Sequence, residues 1–182
     1  MTTRLLDYVT TRPFDHSTTV TIRPIQEADL PALEWDGQYR HYRRVFQQTF
    51  QDAQQGKRLM LVAVAAGEVI GQIFVQLVGS NSMLVDGEQR GYLYALRVKP
   101  HWRRRGIGRQ LILAGEAELK RRRYRVAVIA AAKNNPAARR LYERLGYRVF
   151  AEDPGLWYYT DADGRQQYVE EPAWLLEKYL AP

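Results

Sequence analysis

At 182 residues the chain is long enough for one substantial hydrophobic core and too short for two, so a single domain is expected. A hydrophobic content of 46% with 12% aromatics excludes a disordered chain, no apolar run approaches the ~18 residues of a membrane span, and the lack of cysteine excludes disulfides, thiolate metal sites and a cysteine nucleophile together. The net charge of +7 admits polyanionic partners, nucleic acid among them, and the first residues lack the apolar core of a signal peptide, so a cytoplasmic protein without a membrane partner is expected.

Residues 1–17 are of mixed polarity, contain Pro13 and keep no period; they read as a lead-in to a domain spanning 18–180. Thr19 to Arg23 alternates with period two and stops at Pro24, which predicts a half-buried strand. Glu27 to Leu33 predicts a short helix and Gln38 to Gln55 a longer one, with Tyr42, Val45, Phe46, Thr49 and Ala53 recurring at three and four. Leu59 to Ala65 and Val69 to Val78, joined by Ala66-Gly67-Glu68, predict an antiparallel hairpin, and the polar stretch from Gly79 to Gln89 a mobile loop.

Gly91 to Lys99 predicts the next strand, and a helix opening near Ile107 carries Gly108, Leu111, Ile112, Gly115 and Leu119 on one face. Val126 to Ala131 is apolar on both faces, as a central strand covered on both sides would be, and the strand-helix-strand order places it parallel to the strand before it. Tyr147 to Ala151 predicts a further strand. Trp157 to Thr160 and Gln166 to Val169 flank Asp161-Ala162-Asp163-Gly164 as a hairpin, and Ala173 to Leu180 reads as either strand or helix.

Two stretches carry chemistry. In the first, the strand ending at Leu96-Arg97-Val98 runs through Pro100 and the basic turn Arg103-Arg104-Arg105 into Gly106-Ile107-Gly108-Arg109 and a helix. Unpaired backbone N–H groups at a helix start, beside glycines that let an oxygen approach the main chain, make an anion site. A glycine turn that only packs strand against helix uses the same residues. The stretch lacks the Gly-Lys-Ser/Thr of a Walker loop, and Leu111 stands where a dinucleotide fingerprint needs its third glycine.

The second stretch, Asn134 to Tyr147, is a short helix with an Asn cap, Pro136 in its first turn and Gly146 at its end. Ala138, Leu141 and Leu145 form its core stripe, while Asn135 and Tyr142 lie two turns apart on one side and can reach one ligand. Read alone, Asn135 is a helix cap and Tyr142 a core-edge aromatic. His16, His41 and His101 have no metal-ligand spacing, so no metal is expected.

Together, Arg103-x-x-Gly106-x-Gly108 after a strand and Asn135-x-x-Ala138-x-x-x-Tyr142-x-x-x-Gly146-Tyr147 resemble the pyrophosphate loop and following helix of the GNAT superfamily of N-acyltransferases. The resemblance spans about residues 18–180. It implies an α/β fold with a mixed central sheet, helices on both faces, Ala173 to Leu180 as a strand suited to a sheet edge, and acetyl-CoA as co-substrate. It implies direct attack of a primary amine on the thioester in a ternary complex. The pantetheine arm would bond the main chain at Leu96 and Val98, with an N–H near Val98 meeting the oxyanion. The diphosphate would take the N–H groups of Arg103, Arg104, Arg105, Gly106, Ile107, Gly108 and Arg109. Asn135 would help to hold the cofactor, and Tyr142 would act as general acid to the CoA thiolate.

The strand acid that many such proteins use as general base is missing, because Tyr92, Leu93, Tyr94 and Ala95 occupy that stretch. Glu34 and Asp36 are candidates to attract a cationic acceptor, a water wire through Tyr94 is an equal candidate route for its proton, and no base is assigned. The acceptor, a small-molecule or peptidic amine, is expected against Trp35 to Tyr42, Gly79 to Gln89 and Trp157 to Tyr159, held over an aromatic face if cationic. A homodimer is common in proteins of this type. A catalytically silent CoA-binding or RNA-binding module on the same fold is the other reading, supported by the missing acid and the basic surface.

Overall fold

The computed structural model describes residues 8–9 and 18–181, so the reading of the rest of 1–17 as a lead-in lies outside the described residues. The strands are Tyr8–Val9 (β1), Val20–Pro24 (β2), Arg58–Ala65 (β3), Glu68–Gln76 (β4), Arg90–Val98 (β5), Val126–Ala132 (β6), Arg148–Asp153 (β7), Leu156–Thr160 (β8), Gln166–Glu170 (β9) and Ala173–Tyr179 (β10). Three α-helices, Arg43–Gln54 (α1), Ile107–Arg121 (α2) and Pro136–Arg144 (α3), are joined by 3-10 turns at Glu27–Glu34, Arg40–Tyr42 and Pro100–Trp102.

One sheet runs in the order β1-β2-β3-β4-β5-β6-β10-β7, and β8 pairs with β9 as a separate hairpin. Within the large sheet only β5 and β6 are parallel; the other pairs are antiparallel. Alternation along β3 sorts its side chains between two cores: Leu61, Ala63 and Ala65 meet Ile107, Leu111 and Leu119 of α2, while Met60 and Val62 meet Leu33 and Phe46. Helical segments therefore cover both faces, as expected. At Gly115 a Cβ would lie 2.4 Å from Leu93 Cδ2, so its absence is what lets α2 settle onto β5.

Four sequence expectations are corrected. The Glu27 helix is a 3-10 turn, because Pro31 removes a donor from its interior, and its start is fixed by Asp29, which accepts from the Gln26 N–H at 2.7 Å and from Arg23 at 2.6 and 2.9 Å. The Gln38 helix begins only at Arg43, since Trp35, Asp36 and Gly37 hold positive φ of 45°, 57° and 94° and a single 3-10 turn intervenes. The Gly79–Gln89 loop is tied down: Asp86 Oδ1 accepts from the N–H groups of Glu88, Gln89 and Arg90, Val85 is buried, and the Tyr124 hydroxyl donates to the Leu77 carbonyl at 3.1 Å. Ala173–Tyr179 is a strand, but it lies inside the sheet between β6 and β7 instead of at an edge.

The relation of β5 to its two neighbours positions the site. Against β6 its register runs only from Arg90↔Val126 to Leu93↔Ile129. Just beyond, between the pairs Phe74↔Tyr94 and Gln72↔Arg97, two residues of β5, Ala95 and Leu96, oppose the single Ile73 of β4, and Ala95 takes a φ of 53°. This bulge bends β5 away from β6, and the two parallel strands part.

Candidate active site

A cleft of about 580 Å³ opens where β5 and β6 part. β5 lines it from Tyr92 to Arg97, β6 from Ile129 to Ala132, and α3 supplies Asn135, Ala138 and Tyr142. Tyr39, His41, Tyr42 and Trp157 form its aromatic end, and Asp153, Gly155, Glu171 and Ala173 close the other side.

Beyond the end of β5, the turn at Pro100–Trp102 carries the chain round to α2. The Arg103 N–H is spent on the Pro100 carbonyl at 3.2 Å, and Arg103 Nε donates to the Val98 carbonyl at 2.9 Å. From Arg104 to Arg109, no main-chain N–H finds an acceptor among the described residues. Arg104 at φ 63° and Gly106 at φ 79°, the residue capping α2, turn successive amides toward solvent at the positive end of the helix. A Cβ on Gly106 would meet nothing within 4 Å, and one on Gly108 only Leu141 Cδ2 at 3.9 Å, so internal packing asks for neither glycine. The Arg105 guanidinium lies over Trp102 at 5.1 Å.

Asn135 does cap α3, its Oδ1 accepting from the Ala138 N–H at 3.1 Å, and it also lines the cleft. Tyr142 is buried with its ring 6.3 Å from that of Tyr147. Its hydroxyl has no hydrogen-bond partner among the described residues, and burial pushes the phenol up to about 12. Leu96, Asn135 and Tyr142 thus share one cleft, whereas Val98 and the Arg103–Arg109 turn lie outside its lining, past the end of β5.

The aromatic end is a cluster of mutually tilted rings. His41 and Tyr42 centroids are 4.1 Å apart, Tyr42 and Tyr159 4.8 Å, Trp157 and Tyr159 5.4 Å. The cation over an aromatic face is the protein's own, for the Arg97 guanidinium sits 4.0 Å from the Tyr39 centroid and 5.1 Å from that of Tyr42. Of the three segments expected to face the acceptor, Trp35–Tyr42 and Trp157–Tyr159 contribute to the lining and Gly79–Gln89 does not. That loop precedes β5 and is bonded at Gln89 to Arg125 and Val126, at the end of the strand pair remote from its parting.

Glu34 and Asp36 are not part of the lining, and Arg43 binds Glu34 through two bonds of 2.6 and 2.8 Å, which holds the Glu34 carboxyl below its usual range. Tyr94 lines the cleft, but its hydroxyl accepts from Arg58 Nη1 at 2.7 Å, and Arg58 is itself paired with Asp52. The carboxylates that do line the cleft, Asp153 and Glu171, were missed by sequence reasoning. Both are placed by the base of the β8–β9 hairpin, where Asp153 Oδ1 accepts from the Gly155 N–H at 2.7 Å and the Glu171 N–H donates to the Gly155 carbonyl at 3.0 Å. No motif marks them, although acids flanking a hairpin that folds over a cleft are the signal to look for.

Among the described residues no cluster of His, Asp and Glu could hold a metal ion, and no helix is long and apolar enough to cross a membrane. Residues 22–147 match the model of the acetyltransferase (GNAT) family. A mycothiol acetyltransferase of Nocardiopsis dassonvillei is 39% identical over 70 residues, 38% of this chain and 21% of the relative. Another from Thermobifida fusca is 30% identical over 88 residues, 48% of this chain and 27% of the relative; the matches thus span under a third of these relatives' length. Among solved structures, yncA of Salmonella typhimurium with its cofactor acetyl-CoA superposes with a TM-score of 0.69 at 21% identity, covering 90% of this chain and 95% of the other. An N-acetyltransferase of Staphylococcus aureus gives 0.70 at 17%, covering 90% and 99%. The parted parallel strands, the exposed run of amides and the matched sequence model agree, and the chain belongs to the GNAT family of acetyltransferases.

Proposed function

We propose that this acetyltransferase moves the acetyl group of acetyl-CoA to the nitrogen of an amine. One observation carries the reading: the main-chain amides from Arg104 to Arg109 have no acceptor among the described residues, at a glycine-capped helix start beside a cleft lined by Tyr142. Such amides fit a diphosphate, and the absence of any Cβ contact at Gly106 leaves room for its oxygens. Asn135 and the bulged main chain at Ala95 and Leu96 line the path for the pantetheine arm.

Acetyl-CoA supplies an acetyl group activated as a thioester. The acceptor's N–C bond forms as the C–S bond breaks, so the chain must take a proton from nitrogen and support charge on sulfur. An amine of pKa near 10 is about one part in a thousand neutral at pH 7, a cost of ~4 kcal/mol, and His41, Asp153 and Glu171 are the cleft groups able to receive that proton, directly or through water. Tyr142 stays protonated at working pH, so its O–H can donate to the departing sulfur. A phenol near 12 lies about 3–4 units above a thiol, so full transfer would be uphill by ~5 kcal/mol, and Tyr142 acts as a hydrogen-bond donor to the thiolate more than as its final proton source.

The test is CoA release from acetyl-CoA across an amine panel, followed with a thiol-reactive dye to which this cysteine-free protein contributes no background. Turnover with an amine supports the reading. Acetyl-CoA affinity without turnover against any acceptor would favour a silent CoA-binding module instead, and no affinity at all would remove both.

A further inference from the structure

Arg97 lines the cleft, and its guanidinium makes no hydrogen bond or ion pair with any described residue; its Nη1 is buried without a partner. It leaves the sheet on the face where Tyr39 and Tyr42 sit, and those rings hold it by the flat of the guanidinium. Ring contacts of that kind leave the N–H donors, which all lie in the guanidinium plane, unused. Its cross-strand partner Gln72 is fully buried, and neither of that side chain's amide atoms is bonded. Two adjoining side chains with unmet hydrogen-bonding capacity, one of them charged, are costly in a folded protein unless a ligand or water completes them.

The cleft carries the opposite sign as well. Asp153 and Glu171 line it, and Glu171 is near enough for its charge to act on Arg97 without forming a bond to it. A ligand with one positive and one negative group meets complementary charge at both. We infer that the acceptor is an amine that carries a carboxylate of its own, of the amino-acid type, with the carboxylate bound by Arg97 and the ammonium drawn toward Asp153 and Glu171. The inference rests on the transferase reading above and adds the acceptor's class to it. The aromatic end of the cleft favours an apolar body on such a molecule.

The experiment compares free leucine, methionine and phenylalanine with their primary amides and with the amines that lack the carboxyl group, reading CoA release with acetyl-CoA as donor. The carboxylated member of each set should exceed its amide in kcat/KM by roughly 30-fold to 100-fold, the effect of a charge-assisted guanidinium–carboxylate bond. In Arg97→Gln that ratio should fall to near one, through KM more than kcat, and in Arg97→Lys it should fall only in part, because a point charge lacks the planar fork. Acetyl-CoA titration of each variant reports that the fold is intact. No preference for the carboxylate, or a preference that Arg97→Gln leaves unchanged, overturns the inference while the transferase reading stands. Failure of every amine to release CoA overturns both.

Discussion

The Gly155 backbone lies so close to the carbonyl of Glu171 that a methyl group on Gly155 would come within 1.9 Å of that oxygen, 2.3 Å of its carbon and 3.0 Å of the Pro172 nitrogen. These are main-chain atoms, which cannot rotate aside, and a φ of 67° adds strain for any other residue. Gly155→Ala should therefore push the connection bearing Glu171, between β9 and β10, away from Gly155. We expect a loss of about 2 kcal/mol in stability and a fall in kcat/KM of tenfold or more, with the acetyl-CoA Kd within about twofold of wild type. Unaltered turnover would show that the position of Glu171 is immaterial.

Tyr142→Phe should lower kcat by ~10²-fold and leave acetyl-CoA binding intact. Because burial holds the phenol up to about 12, its proton is in place throughout pH 6–10. The kcat profile should show no alkaline decline due to Tyr142 below about pH 11. A wild-type decline centred near pH 9 that vanishes in the Phe variant would contradict this assignment.

Gly106→Ala separates ligand fit from folding. Among the described residues nothing stands within 4 Å of the added methyl, so the cost to stability should be only the ~1 kcal/mol of left-handed strain, while acetyl-CoA affinity drops at least tenfold. Gly108→Ala, inside the first turn of α2, should instead stabilise the unliganded protein by about 0.5–1 kcal/mol. Melting curves with and without acetyl-CoA distinguish the two. An equal loss of stability in both would argue that the glycines serve packing.

Asp29 links pH to stability. The hydrogen bonds from Arg23, opposed by burial and aided by the Gln26 N–H, hold its carboxyl below the usual range in the folded protein. A depressed folded pKa gives stabilisation that is complete above the unfolded value near 4 and is lost as pH falls through the folded value. Asp29→Asn should cost about 1–2 kcal/mol at pH 7, and chemical denaturation curves of variant and wild type should converge as the pH is lowered through the depressed folded value. A constant gap at all pH values would contradict it.

The segment from β5 through α2, and the whole of α3, were legible because their signals are local: glycines at a helix start, Asn-Pro at a cap, apolar residues at helical spacing. Asn135 and Tyr142 were placed together by the same periodicity. The bulge was not legible, since Ala95 carries no residue-level mark of a positive φ and takes it only because β4 and β5 pair out of step around it. Asp153 and Glu171 come from segments joined only by the β8–β9 hairpin, so their meeting depends on contacts that no spacing encodes. Arg97 read only as part of the strand leading into the turn, yet the β5 pleat sets it under Tyr39 and Tyr42.

The place of β10 has a bearing on the order of assembly. It follows β7 along the chain but is inserted between β7 and β6, in register with Val126–Ala132 on one side and Arg148–Asp153 on the other. Until it slots in, β7 has no neighbour in the sheet, and the wall formed by Asp153, Glu171 and Ala173 is anchored through the hairpin bonds at Gly155 and not to the sheet. Nucleation around β3, β4 and β5 can precede that event, since those strands are neighbours in sequence, whereas pairing β10 with β6 must bring Ala173 to Ala132 across α3, β7 and the β8–β9 hairpin. We therefore expect competence to bind an acceptor to be acquired late in folding, when this strand zips the two halves together.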